Sequence, residues 1–349
     1  MDTMITNRQW RLRRRPEPGE IPGTGHFDFT AEACPKAGAG QVLVRTLVLG
    51  TSPAQRGYIS TSRSMHDKVP VGGVMRGRGV GVVVDSHHDA FAPGDLLTAS
   101  LGWQDYAAIT PTAESMSIMN IARLARPVKP SSLHLGLLGG AGATAYFGLL
   151  DVGLAKPGET VVISAAAGGI GSLTGQIAKI AGCRVVGICG SDEKCTWITR
   201  DLKFDAAINY RTQDIDARLR ELCPGGVDVY FDNVGGDTLN TVLDHLARRA
   251  RVVICGWIST DYASGPQTGP ANYKNLLRQR ARMEGFYVFD YLARWGDAES
   301  RLRAWYEAGR IDPCEDLDDG LEKMPETLAS LFKGTNKGVK MNRVAPDPV

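Results

Sequence analysis

The chain has 349 residues, 43% of them hydrophobic and 22% charged, ordinary globular usage that excludes wholesale disorder and leaves room for two domains. Forty basic against 38 acidic side chains give a formal net charge of +2, so no global field draws nucleic acid or an anionic membrane, and the expected partner is a small molecule. Cys34, Cys183, Cys189, Cys195, Cys223, Cys255 and Cys314 are scattered, odd in number and form no CxxC pair, which supports neither a disulfide framework nor a zinc ribbon and fits a reducing cytoplasm.

The opening NRQWRLRRRPEPGEIP is rich in arginine. Such a composition suits an organelle transit peptide, whereas the alternation of Gln9, Trp10, Arg11, Leu12 and Arg13 reads as a first strand with a solvated basic face. Between Gln41 and Ile109 the runs QVLVRTLVLG, GRGVGVVVDS and GDLLTASLGWQDYAAI are short, valine-rich and punctuated by turn residues such as Pro93 and Gly94. They predict the strands of a compact, barrel-like β domain. The uncharged stretch 133–150 carries five glycines together with Thr144 and Tyr146, and is expected to be buried packing, not a membrane span.

From about Leu137 the pattern changes to strands alternating with helices. ETVVIS, RVVGICG, AAINY, VDVYFDNV and RVVICGW read as strands, separated by IGSLTGQIAKIAG and by helices over 192–202, around 214–222 and over 237–247. Near-continuous Val/Ile runs suit strands covered on both faces, so an α/β fold with a Rossmann-type, doubly wound parallel sheet is expected. After about Asp312 the chain reads as mixed structure returning to the first domain. The expected division is 1–136 with 313–349, and 137–312 between them.

The segment Ala166, Gly168, Gly169, Ile170, Gly171 follows the strand ETVVIS and opens a helix. In that context Gly168 permits close approach of a pyrophosphate, Gly171 allows tight helix–strand packing, and helix N-terminal N–H groups bind the phosphates. The next strand ends in Cys189, Gly190 and Ser191, where NAD-preferring folds place a carboxylate. Without that charge, and with Ser191 and Lys194 beside it, the site suits the 2′-phosphate of NADP. Against this, Lys194 also reads as a solvated helix residue, and Asp192 and Glu193 weaken the local positive field.

The stretches NRQW...RP, MRGRGVGVVV, GDLL...LGWQDYA, TAYFGLLDVGLAKPGETVVISAAAGGIGSLTGQIAKIAGCRVVGICGSDEK, FDAAINYR, DVYFDNVGG, CGWIS and LFKGTNKG resemble the leukotriene B4 dehydrogenase/prostaglandin reductase and curcumin reductase branch of the medium-chain reductases. The resemblance implies a GroES-like β domain holding both chain ends, a central NADP-binding domain, and commonly a homodimer. It implies that Gly190, Ser191, Lys194 and Tyr210 surround the adenosine 2′-phosphate. Asn233, Cys255 and Gly256 would line the cofactor cleft, with Phe286 to Val288 and Asn336 near the nicotinamide; Thr144 is counted in the same cofactor set. Asn233 also reads as a helix N-cap before Asp237, and Asn336 as a turn residue between Gly334 and Gly338. The chain departs from the family in three places. TSPAQRGYI replaces SVDPYMRGR, putting Ser52 and Ala54 in place of an aspartate and a tyrosine. Gly140 and Ala141 stand where Met-Pro is usual, which should enlarge the pocket beside the nicotinamide. KGVKM shifts the lysine of the tail motif.

Zinc-bearing relatives use an early cysteine and a GHE histidine, where this chain reads LGTSPAQRG and MRGRGVG. Its histidines, His26, His66, His87, His88, His134 and His245, lack metal-binding spacing, so no metal is expected. No tyrosine has a lysine four residues later, which removes the other common means of activating an alcohol. Reduction of an enone needs less: hydride from NADPH attacks the β-carbon, and a hydrogen-bond donor stabilises charge on the carbonyl oxygen. Tyr262, after CGWIS and favoured by the resemblance, Tyr58, and the cofactor's own ribose hydroxyl are the candidate donors, each tyrosine also readable as an amphipathic pocket wall. The expectation is an NADPH-dependent reductase of α,β-unsaturated ketones or aldehydes. A quinone oxidoreductase and a non-catalytic NADPH-binding redox module stand as alternatives.

Overall fold

The computed structural model describes residues 5–61, 67–117, 120–259 and 269–348. The chain divides into two units: Met1–Gly136 with Glu315–Thr335 and Lys340–Val349, and Leu137–Cys314 with Asn336–Val339.

In the first unit β1 (Thr6–Leu12) and β2 (Phe27–Ala33) form an antiparallel pair. The expected alternation on β1 holds for Trp10 and Leu12, which are buried, while Gln9 is buried as well and not part of a solvated face. The strands β3 (Val42–Gly50), β4 (Arg78–Ser86), β5 (Leu96–Ser100), β6 (Tyr106–Ile109) and β7 (Ile121–Arg123) belong to a second sheet, with short helices α1 (Ala54–Tyr58) and α2 (Ala113–Ser117) between them. Its order is β14-β15-β3-β4-β5-β7 with β6 on β3, where β14 (Glu315–Asp319) and β15 (Val339–Arg343) flank helix α10 (Met324–Lys333) and bring the end of the chain back to its beginning. A Cβ at Gly81 would lie 2.3 Å from Val44 Cγ1, and one at Gly79 would lie 2.8 Å from the Val48 carbonyl. The glycines of GRGVG are therefore what lets β4 lie against β3 in register. Leu12, Val42, Leu49, Met75, Leu97 and Trp103 are fully buried, each such side chain contributing about 1.5–3 kcal/mol.

The second unit opens on α3 (Gly140–Phe147), followed by β8 (Thr160–Ser164), α4 (Gly169–Ile180), β9 (Arg184–Cys189), α5 (Asp192–Arg200), β10 (Ala206–Asn209), α6 (Ile215–Leu222), β11 (Val227–Asp232), α7 (Gly236–Leu243), β12 (Leu246–Ile254), α8 (Lys274–Gln279), β13 (Arg282–Gly285) and α9 (Trp295–Glu307). All six strands are parallel in the order β10-β9-β8-β11-β12-β13. Numbered within the unit this is 3-2-1-4-5-6, the doubly wound Rossmann arrangement, whose direction of winding reverses between β8 and β11.

One predicted boundary is corrected. The helix expected over 237–247 ends at Leu243, and Leu246 and Ala247 already lie in β12. Leu246 is buried opposite Val227, and the amide of Val227 donates to the carbonyl of His245 at 2.8 Å. Pairing with the sheet outweighs the local helical pattern. No helix among the described residues is long and apolar enough to cross a membrane.

Candidate functional site

The reversal of winding puts the C-terminal ends of β8 and β11 side by side, and the glycine turn leaves β8 there. Ala165, not Ala166, takes the left-handed conformation (φ 48°), so the reversal falls one residue before the first position of the fingerprint. The amide of Gly168 donates to the Ala165 carbonyl at 2.9 Å, and α4 begins at Gly169. A Cβ on Gly171 would sit 2.4 Å from that carbonyl, and one on Gly169 would sit 3.0 Å from Val339 Cα. Side chains are excluded where a helix N-terminus presents its unpaired N–H groups, which is the cradle a pyrophosphate requires. The tail completes it from the other side: Gly338 bridges Gly168, and its amide donates to Ala167 at 2.8 Å.

Gly190, Ser191, Lys194 and Tyr210 come together at the ends of β9 and β10. A Cβ on Gly190 would lie 2.9 Å from Tyr210 Oη, so glycine lets the tyrosine ring close over the turn. Ser191 Oγ caps α5 by accepting from the Lys194 amide at 3.3 Å. The acids beside Lys194 are engaged elsewhere. Asp192 accepts from Asn209 Nδ2 at 2.7 Å, and Glu193 faces Lys337 Nζ at 3.6 Å. Lys337, also 5.5 Å from the ring of Trp197, adds a second cation to this corner that sequence reasoning missed, because it arrives from more than 140 residues away.

At the end of β11, Asn233 does not cap a helix. Its Nδ2 donates to the Ser164 carbonyl at 2.8 Å and its amide to Ser164 Oγ at 2.9 Å, locking β11 to β8 at the reversal; α7 is capped by Gly235 instead. Asp232, passed over in the sequence, is fully buried behind it. Its Oδ1 accepts from Ser164 Oγ (3.0 Å), Tyr230 Oη (2.9 Å) and the amides of Val234 (2.9 Å) and Gly235 (3.0 Å). Its Oδ2 has no hydrogen-bond partner among the described residues. Burial raises this carboxyl above its usual range, with the two amides opposing the shift. The amides of Cys255 and Gly256 both donate to the Asp232 carbonyl, at 2.8 and 3.0 Å, and burial pushes the Cys255 thiol up to about 12. This thiol is protonated at neutral pH and forms part of the wall, not a nucleophile.

Thr144 Oγ1 turns back onto the Gly140 carbonyl at 2.7 Å, and a Cβ on Gly140, which is exposed, would meet nothing within 4 Å. Phe286 packs its ring edge toward Gly148, 2.6 Å from where a Cβ there would lie. Val288 begins the 3-10 helix Val288–Arg294 that follows. Asn336 Nδ2 donates to the Gly338 carbonyl at 3.2 Å, shaping the tail turn against Gly168. Tyr262 and His66 lie outside the described residues. In the first unit Tyr58 ends α1, half-buried, with the Arg76 guanidinium 4.9 Å above its ring. Among the described residues no group of three or more His, Cys, Asp or Glu side chains converges as metal ligands.

Fold and site together define a class: a Rossmann-type nucleotide-binding unit inserted into a β-sheet unit. Residues 8–118 match the family described as N-terminal domain of oxidoreductase, and residues 169–304 the family described as zinc-binding dehydrogenase. The chain is 38% identical to the NADPH-dependent curcumin reductase of Escherichia coli (strain K12), covering 98% of both chains. It is also 38% identical to prostaglandin reductase 1 of Mus musculus, over 96% of this chain and 98% of the relative. The crystal structure of CurA in complex with NADPH from Vibrio vulnificus superposes with a TM-score of 0.89 at 35% identity, over 97% of this chain and all of that one (100%). The chain belongs to the medium-chain dehydrogenase/reductase family, in the branch that holds the prostaglandin and curcumin reductases.

Proposed function

We propose that the protein is an NADPH-dependent reductase of the carbon–carbon double bond in α,β-unsaturated ketones and aldehydes. The observation that carries the reading is the pairing of a glycine cradle at β8–α4 with a β9 tip that ends in Gly190 and Ser191 where a carboxylate would repel a phosphorylated ribose. Relatives on either side of the branch carry names of NADPH-dependent or enone-reducing enzymes, which supports the same assignment. Bound in the cradle, NADPH supplies a hydride for the β-carbon of the acceptor.

The chain's own residues do the rest. The N–H groups of Gly169 to Gly171 hold the pyrophosphate, Ser191, Lys194 and Tyr210 hold the 2′-phosphate, and Asn233, Cys255 and Gly256 wall the cleft. Thr144, Phe286, Val288 and Asn336 are assigned to the nicotinamide end. Tyr58 Oη and Tyr262 Oη are the proposed donors to the acceptor's carbonyl oxygen, where charge develops as the β-carbon is reduced; a positioned neutral donor stabilises that oxygen without a metal. Gly140 and Ala141, in place of the family's Met-Pro, suit bulky or aromatic enones.

A homodimer is also proposed, supported by the open edge of β13 and by Tyr273, Leu277, Tyr287 and Phe289, apolar side chains exposed around it. A cytoplasmic location is in keeping with seven unpaired cysteines. The test is stopped-flow oxidation of 4-deuterated NADPH by a panel of enones, with the expected product a saturated carbonyl bearing deuterium at the β-carbon. Turnover of quinones to hydroquinones with every enone inert would refute the assignment, as would binding of NADPH with no acceptor turned over at all.

A further inference from the structure

Lys337 joins two loops of the Rossmann unit. Its backbone belongs to the tail 336–339, which is held to the cradle after β8: Gly338 bridges Gly168 and donates to the Ala167 carbonyl at 2.8 Å, and the Val339 amide donates to the Cys314 carbonyl at 2.7 Å. Gly338 has φ +93°, and a Cβ there would fall 1.9 Å from that Cys314 carbonyl. The close approach requires glycine and fixes the point at which Lys337 leaves the tail.

The side chain of Lys337 reaches the other loop. Its Nζ lies 3.6 Å from Glu193 Oε1 and 5.5 Å from the centre of the Trp197 ring. Glu193 and Trp197 stand four residues apart and share one face of α5, so the ammonium is placed at the start of that helix, whose N-cap is Ser191. The strands β8 and β9 are neighbours, with Ser164 opposite Ile188, and the Ala166 amide donates to the Ile188 carbonyl at 3.1 Å. The loops that leave them therefore lie side by side. In a doubly wound fold the adenosine half of a dinucleotide crosses from the first loop, which takes the pyrophosphate, to the second, which takes the ribose. Lys337 spans the same crossing, with its backbone on one loop and its charge on the other.

Glu193 holds that charge weakly. The two side chains are 44% and 80% exposed, and an ion pair so open to water contributes little. A phosphate monoester carries about −1.5 to −2 charges at neutral pH on three strong acceptor oxygens, against a single charge on a carboxylate, so it outcompetes Glu193 for the ammonium.

We propose that Lys337 is a coenzyme-specificity residue, passing from Glu193 to the adenosine 2′-phosphate when NADPH binds and adding its charge to that of Lys194. The inference rests on the NADPH part of the reductase reading and names a further residue that enforces it.

Calorimetric binding of adenosine 2′,5′-bisphosphate and of adenosine 5′-monophosphate to the full chain reads the 2′-phosphate contact without turnover. Lys337→Met keeps an unbranched side chain of similar length and removes the charge. It is expected to weaken the bisphosphate about fivefold, the size of one partly solvated charge contact, and to leave the monophosphate unchanged, with Lys337→Arg restoring most of the loss. Glu193→Gln removes the competitor and is expected to tighten the bisphosphate about two- to threefold, by less when combined with Lys337→Met. An unchanged bisphosphate affinity in Lys337→Met overturns the assignment, as does an equal loss for both nucleotides, which marks a support of the fold alone. A Glu193→Gln protein that binds the bisphosphate no better than wild type overturns it too, and so does a gain of equal size with and without Lys337→Met. A wild-type protein with no preference for the bisphosphate overturns the NADPH reading together with this one, whereas a preference that survives Lys337→Met undiminished overturns this one alone.

Discussion

Replacing Asp232 by alanine removes one oxygen that accepts four hydrogen bonds and leaves their donors without partners in a region closed to water. Two of those donors are the backbone amides of Val234 and Gly235, which cannot turn away. The other two are the hydroxyls of Ser164 and Tyr230, both residues fully buried. A buried donor left unsatisfied costs about 1–3 kcal/mol, so the amides alone account for roughly 2–6 kcal/mol. The hydroxyls add to this, and relief from carrying a desolvated carboxyl subtracts, giving a net loss of about 3–5 kcal/mol, as for other broken buried networks. For a unit of this size each kcal/mol corresponds to about 2–4 °C, so calorimetry should show the Rossmann unit melting about 10 °C lower. Because the turn at Gly235 hangs on that oxygen and Asn233 on the Ser164 hydroxyl that donates to it, NADPH affinity should fall with it. Asp232→Asn keeps the accepting oxygen and exchanges the unpartnered Oδ2 for an amide nitrogen, so its loss should be near 1 kcal/mol. The pH dependence separates the two states of the carboxyl. Burial raises the folded pKa above the unfolded value of 3.8, so the proton-linked stabilisation is present below about pH 3.8 and is lost as pH rises through the folded pKa. Asparagine does not titrate, and the advantage of wild type over Asp232→Asn should therefore shrink as pH rises above about 3.8. An Asp232→Ala protein that melts within 2 °C of wild type, or a wild-type advantage that grows with pH, would refute this reasoning.

Lys194→Ala should raise the KM for NADPH about 10- to 100-fold, the equivalent of one charged hydrogen bond, and leave the KM for NADH unchanged; an equal rise for both coenzymes would place Lys194 outside the 2′-phosphate site. Gly171→Ala forces a Cβ to within 2.4 Å of the Ala165 carbonyl, so α4 must shift, stability should fall by about 1–3 kcal/mol, and calorimetric binding of NADP should be lost. With its pKa near 12, Cys255 should resist iodoacetamide at pH 7.5; rapid labelling of Cys255 mapped by mass spectrometry would show that the thiol is not held protonated by its surroundings.

Features that depend on a few neighbouring residues were legible before any coordinates. The six parallel strands follow from Val/Ile runs spaced by amphipathic helices, the cradle at Gly168 and Gly171 from glycine placement after a strand, and the neutral β9 tip from the absence of an acid at Gly190 and Ser191. Each of these is dictated by backbone sterics, side-chain periodicity or local charge within a dozen residues. What the tertiary structure alone decided involves partners far apart in the chain. Leu246 leaves the helical pattern because Val227 is waiting in the sheet, Asn233 serves Ser164 and not its own helix, and Asp232 gathers donors from two strands and a turn. The tail residues 336–339 join the Rossmann unit through Gly168, and the Arg76 guanidinium comes to lie 4.9 Å from the Tyr58 ring centroid. A hydrogen bond between residues about 70 or 170 positions apart leaves no periodic trace in sequence, because its energy is realised only after the intervening chain has folded and brought the two groups within 3 Å of each other.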